Sequence, residues 1–243
     1  MKNIILTTLF FVFTHYITEA QSTVKTQSLL PIKYGVKIGA NIGSVISSPN
    51  EGVKNIEQST IFGIAAGFYM EIALNDKWYI NPSVVYIQKG LSASSEYIHN
   101  YESNQQDLHK VAHDLTLSYV ELNPTLSYKI NDKISLNTGP SLSMQLSYQY
   151  TANDKGEHDA SPTHEILDEW VYNEESLDIG LNLGMSYYLN ENIIIESTIN
   201  NGFLKSGELA KDISTAGNAG NDIKQNIFEL RNKGFICSFI YLF

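Results

Sequence analysis

Apolar and polar side chains alternate with a period of two in about eight stretches of the chain, the pattern of strands with two unlike faces. In the first, Tyr34, Val36, Ile38, Ala40 and Ile42 share one face and Gly35, Lys37, Gly39, Asn41 and Gly43 the other. The second sets Phe62, Ile64, Ala66, Phe68, Met70, Ile72 and Leu74 against Gly63, Ala65, Gly67, Tyr69 and Glu71. The third sets Ile80, Pro82, Val84 and Tyr86 against Asn81, Ser83 and Lys89. The fourth sets Val120, Leu122, Leu126 and Tyr128 against Tyr119, Glu121, Asn123 and Thr125. The fifth is the most regular: Ile134, Leu136, Leu142, Met144, Leu146 and Tyr148 oppose Ser135, Asn137, Gly139, Ser141, Ser143, Gln145, Ser147 and Gln149. In the sixth, Leu177, Ile179, Leu181, Leu183, Met185 and Tyr187 oppose Asp178, Gly180, Asn182, Gly184 and Ser186. The seventh, Ile193 to Phe203, is weaker. The eighth ends the chain, with Phe235, Cys237, Phe239, Tyr241 and Phe243 in phase.

A soluble sandwich or barrel also alternates, with its apolar face inward. Here, however, the polar face is made of Gly, Ser, Asn and Gln, not the Lys and Glu that cover a solvated surface. Small polar groups suit the cramped interior of an eight-stranded barrel whose apolar face looks at lipid. The terminal run of Phe and Tyr would be a sticky edge in water, whereas at a membrane interface it is favourable. Connection lengths alternate too. Residues 75–77, 131–133 and 190–192 read as tight turns, and 46–58, 91–114, 151–175 and 205–226 as long loops. The expected fold is therefore all-β: an eight-stranded, antiparallel, up-and-down transmembrane β-barrel with short periplasmic turns and long extracellular loops. Pro82, Pro124 and Pro140 fall inside these strands and predict a bulge or a missing ladder bond at each.

The N-terminus fits an exported protein. Lys2, an apolar stretch from Ile4 to Phe13 and the small residues Thr18 and Ala20 describe a signal peptide cleaved after Ala20. No Cys adjoins that point, so a lipid anchor is not expected. The expected organisation is a signal peptide over 1–20, a short segment over 21–33 and the barrel domain over 34–243. Charged residues are 17% and Tyr numbers 15, which suits a surface partly in lipid with aromatic belts. The net charge of −10 argues against nucleic acid. Cys237 is the sole cysteine, so an intrachain disulfide is excluded.

The stretches YGVKIGAN (34–41), INPSVVYIQKG (80–90), YVELNP (119–124), NTGP (137–140), LDIGLNLG (177–184) and the terminal YLF (241–243) resemble, in order and spacing, the PorT-like outer-membrane β-barrel family. The resemblance runs from about Tyr34 to Phe243 and implies an integral outer-membrane barrel in a Gram-negative cell envelope. Prolines in the second to fourth stretches are ordinary in that family. Members often carry Arg-Tyr shortly after the Glu of the seventh strand. Here Glu196 is followed by Ser197, Thr198 and Ile199. The family's namesake is tied to protein secretion, a role the resemblance does not extend to this chain.

Three charged residues point into the expected lumen at similar depth: Lys37, Glu71 and Glu196. They are expected to form an ion-paired plug, since an unpaired charge in a confined interior is costly. The alternative is a proton or ion path. His109 and His113, four apart in a helix-compatible stretch, are the candidate metal pair; polar loops also simply contain His. The segment Thr151–Ser176 is strongly acidic, with Lys155 as its only cation, and its Trp170 and Tyr172 are candidate anchors for a protein partner. No Gly-x-Ser-x-Gly, P-loop or dinucleotide fingerprint is present. The expected function is thus a non-enzymatic outer-membrane barrel, without cofactor, in contact with outer-membrane lipid. Its loops would shield the surface or bind a partner. A rim-sited lipid-modifying enzyme and a narrow small-solute pore are the alternatives.

Overall fold

The computed structural model describes residues 31–49, 54–100, 106–156, 169–174, 176–213 and 223–243. The expected signal peptide lies outside them. Among these residues the strands are β1 (Ile32–Pro49), β2 (Lys54–Ala73), β3 (Trp78–Asn100), β4 (Gln106–Asn131) and β5 (Ile134–Gly156). They continue with β6 (Glu169–Glu174), β7 (Leu177–Tyr188), β8 (Ile193–Gly202), β9 (Gly207–Ile213) and β10 (Ile223–Leu242). β1 begins two residues before the expected start of the barrel, inside the segment 21–33.

Three asparagines make the tight turns, each in the same way. The Asn75 side-chain oxygen accepts from the backbone N–H of Lys77 and Trp78 at 2.9 and 3.0 Å. Asn131 accepts from Lys133 and Ile134, and Asn190 from Asn192 and Ile193, all at 2.9 Å. An Asn side chain that mimics the backbone of a turn explains why so short a link reverses the chain.

β1, β2, β3, β4, β5, β7, β8 and β10 pair antiparallel in that order, and β1 pairs with β10 to close the ring. This is the eight-stranded up-and-down barrel. The large apolar residues of the alternating faces are on the outside: Ile38, Phe62, Phe68, Leu183, Ile199 and Phe243 are all more than half exposed. Lys37, Asn41, Glu71, Asn81, Glu121, Asn182 and Glu196 are buried inside. Cys237 is on the exposed face. Trp78 and Tyr128, with ring centroids 4.8 Å apart, belong to an aromatic rim at the short-turn end that also includes Tyr34, Tyr187 and Tyr241. Lumen-facing glycines let neighbouring strands coil tightly. A Cβ on Gly67 would strike the carbonyl oxygen of Val84.

The prolines remove ladder contacts without shifting register. β2–β3 pairing skips Pro82 between Tyr69↔Ser83 and Ile72↔Ile80. β4–β5 pairing skips Pro124 and Pro140 between Leu122↔Leu142 and Leu126↔Thr138. Both resume in the register they left, because a missing N–H deletes a bond but inserts no residue.

Two expectations need correction. The stretches read as long loops are largely strand. β3 and β4 stay paired up to Asn100↔Gln106, and β3 is 23 residues long, about twice the 9–11 residues that cross a bilayer. The hairpins therefore stand well clear of the membrane. β1–β2 pairing ends at Gly43↔Ile61 and β5–β7 pairing at Met144↔Leu177. Beyond that level the pairings run β2–β3–β4–β5 on one side and β1–β10–β9–β6 on the other. β6 and β9 were not legible in the alternation. The second correction concerns the upper part of the fifth strand. A register shift between Ser118 and Tyr119, opposite Gln145 and Ser147, inverts the phase of β5. Ser147 and Gln149 are exposed rather than inward, and Tyr150 comes opposite the buried Leu115.

Candidate functional site in the barrel lumen

The lumen is filled in three storeys. Nearest the short turns, Tyr69, Tyr188, Ile194, Ile240 and Leu242 form an apolar floor. Glu71 accepts a hydrogen bond from the Tyr188 hydroxyl at 2.8 Å. Lys129 caps this floor, its ammonium 4.2 Å from the Tyr79 ring centre, 4.7 Å from that of Tyr188, and donating to the Tyr79 oxygen at 3.0 Å.

The middle storey is polar and holds two buried ion pairs. Lys37 Nζ lies 2.5 Å from Glu196 Oε1, and the same carboxylate accepts from Thr198 Oγ1 at 3.1 Å and Ser186 Oγ at 3.5 Å. Lys89 Nζ lies 2.5 Å from Glu121 Oε1, donates to Asn200 Oδ1 at 3.2 Å and sits 5.4 Å above the Tyr119 ring. Ser143 donates to Glu121 at 2.9 Å. Asn200 donates to Ser141 and Asn182, and Asn182 in turn to Asn123. Asp178 accepts from the Asn232 side chain at 2.9 Å and the Leu204 backbone at 3.3 Å. Each buried charge is thus met by an opposite charge or by hydrogen-bond donors, the condition for holding ions out of water. A cavity of about 20 Å³ lies between Lys37, Tyr69, Asn81, Asn123 and Glu196, room for about one water molecule.

Above the network is an apolar cap. Ile87, Leu91, Leu115, Leu117 and Leu230 are 0–1% exposed and pack with Ala65, Val85, Ala93, Tyr119 and Ile236. On its margin His113 Nδ1 lies 2.9 Å from the Tyr150 hydroxyl. Burial pushes that hydroxyl well above its ordinary titration range and keeps it neutral.

Of the three residues expected to meet in the lumen, the structure brings together Lys37 and Glu196, which lie on β1 and β8 with only β10 between them. Glu71 is not in that pair. It stands opposite Lys33 on β1, four residues or ~13 Å along the strand below Lys37, and takes Tyr188 instead. The second ion pair, Lys89 with Glu121, was legible as two inward residues but not as a couple. Their inward phase was the signal; the register sets Lys89 opposite Leu117 and Glu121 opposite Val85, so the two side chains meet along the lumen and not across a rung.

His109 and His113 do not lie on a helix: both are on β4. Four residues along a strand span ~13 Å, so the convergence a helical turn would give is absent. Among the described residues no group of three His, Cys, Asp or Glu side chains is placed to hold a metal. Trp170 and Tyr172 fall on β6; residues 157–168 of the acidic stretch lie outside the described residues.

No curated protein matches the chain. Among solved structures, OprG of Pseudomonas aeruginosa is 11% identical over 90% of this chain and 99% of its own, with a TM-score of 0.47. The Neisserial surface protein NspA is 11% identical over 86% and 97%, at 0.45. The outer membrane protease OmpT of Escherichia coli is 12% identical over 90% and 99%, at 0.39. Function does not transfer across such distances. The family model described as "Outer membrane protein beta-barrel domain" matches residues 19–206. With its apolar exterior, closed ring and polar interior, the chain belongs to the outer membrane protein beta-barrel domain family and is an integral outer-membrane barrel.

Proposed function

We propose that this barrel does not conduct and is not an enzyme. Its work would be done by the hairpins that project beyond the membrane, which shield the cell surface or bind a protein partner. The observation behind this reading is the filled lumen. Water or a solute crossing it would have to separate both buried ion pairs and then the apolar cap, and the cavity beside Lys37 and Glu196 is about 20 Å³. Lys37 with Glu196, supported by Lys89 with Glu121 and by Glu71 below, acts as a structural plug. Dry aliphatic packing above it supplies a second barrier, because ions pay a large desolvation penalty there. The lumen carboxylates Glu71, Glu121 and Glu196 are engaged in this network. Export by a signal peptide over residues 1–20 and kinship with the PorT-like branch complete the reading; the sequence resemblance supports the kinship.

Planar-bilayer recording tests it. The purified protein is expected to give no steady conductance above the lipid baseline. A persistent open level, abolished by denaturing the protein, would replace the plug with a pore.

A further inference from the structure

Above the apolar belt the outward surface of β3 and β4 is mostly uncharged. It carries Gln88, Ser92 and Ser94 on one strand and Thr116 and Ser118 on the other, with Asp114 higher up. β10 differs. Directly above the lipid-facing Phe235 come Lys233 and Arg231, both exposed and alternating with the buried Asn232 and Leu230. Residues two apart on one strand face are ~7 Å apart, so the two cations form a column at the top of the belt. Neither has a carboxylate partner among the described residues. The nearest carboxylate on that face, Glu229, lies 4.0 Å from Lys205, which also pairs with Glu208. Lys233 stands beside Ser44 on β1 and Asn201 on β8, where β8 ends. Below it, Phe235 pairs across the strands with Ile42 and Ile199, and all three are exposed. On a chain of net charge −10, two unpaired cations thus sit on an apolar shelf at headgroup height.

We propose that this column binds a phosphorylated glycolipid of the outer leaflet. Arg231 and Lys233 hold a headgroup phosphate, and the acyl chains lie on Ile42, Ile199 and Phe235. A guanidinium fork matches two phosphate oxygens and an ammonium adds a point charge. The apolar shelf gives a lipid an advantage over free phosphate, since burying acyl CH₂ groups against it is favourable. The site is on the outer wall and stands whether or not the lumen conducts.

Native mass spectrometry of the full protein purified from outer membranes tests this, with bis-phosphorylated lipid A added to the micelles. The wild type is expected to hold one lipid A about 30-fold more tightly than R231Q/K233Q, each cation near an anionic headgroup contributing about a fivefold factor. The charge-conserving R231K/K233R is expected to keep most of the binding. Heat-modified gel migration, equal in all three proteins, establishes that each is folded. Lipid A stripped of both phosphates is expected to bind wild type and R231Q/K233Q alike. Equal binding of intact lipid A to wild type and R231Q/K233Q overturns the proposal, as does undiminished binding of the stripped lipid to wild type. Full displacement of lipid A by millimolar inorganic phosphate would overturn the lipid assignment and leave a free-phosphate site.

Discussion

Lys89→Met is expected to lower the free energy of unfolding by about 3–5 kcal/mol, the range for stranding one partner of a buried ion pair. Glu121 would keep the Ser143 hydroxyl but lose its cation in a position 1% exposed. It is walled above by the apolar cap, and the lining of the cavity beside Lys37 and Glu196 includes neither Lys89 nor Glu121. The double variant K89M/E121M removes both charges and leaves apolar groups of similar length. It is expected to recover most of the loss, because replacing a whole buried pair with hydrophobes is often neutral. Lys37→Met is expected to cost less. Glu196 retains donors in Thr198 and Ser186 and adjoins the cavity, where a water can approach it. Urea unfolding in lipid vesicles, followed by the fluorescence of the two tryptophans, measures all three. Single and double variants of equal stability would mean that Glu121 is not stranded, and the ion-pair account of the middle storey would fall.

The period-two alternation contained the barrel, because a residue's face depends only on parity and parity is local. Ion-pair partners are not local. Lys37 meets Glu196 across 159 positions of sequence, and only because ring closure brings β1 and β8 to either side of β10. Nothing in either neighbourhood announces the other. The apolar cap was legible in principle. On β4 the apolar residues Leu115, Leu117 and Tyr119 are odd-numbered and inward, while Val120 and Leu122 are even-numbered and outward. On β3 the inward apolar residues begin at Val85 and continue with Ile87 and Leu91, while the outward apolar ones end at Tyr86. The apolar set changes face where the strand leaves lipid. Outside the bilayer, water is on the exterior and the hydrophobic effect drives aliphatic groups inward. That switch of phase reads as weakened alternation when a single face is assumed for the whole strand, which is why these stretches looked like loops. The bulge in β5 had no such signal, since Ser147, Tyr148 and Gln149 alternate equally well in either phase. His109 and His113 misled for a related reason: a spacing of four puts two residues on one face in a helix and in a strand alike.

The same switch of phase makes Phe68→Arg informative. Phe68 lies halfway along the outward face of β2, between Phe62 and Leu74, and is 73% exposed. In a water-soluble barrel an exposed phenylalanine replaced by arginine changes stability by no more than about 0.5 kcal/mol. With its neighbours in hydrocarbon, the charge must be carried near the bilayer midplane, and the expected loss is about 2–4 kcal/mol. Thr116 is the counterpart. It faces outward on β4 beyond the switch between Tyr119 and Val120, so Thr116→Arg is expected to stay within about 0.5 kcal/mol. Unfolding of both variants in lipid vesicles, with wild type as reference, maps the membrane surface onto the strands. A small effect at both positions would mean that the outer aliphatic face is wet. A large effect at both would put the bilayer boundary higher than the change of phase, and the apolar cap would then lie inside the membrane rather than above it.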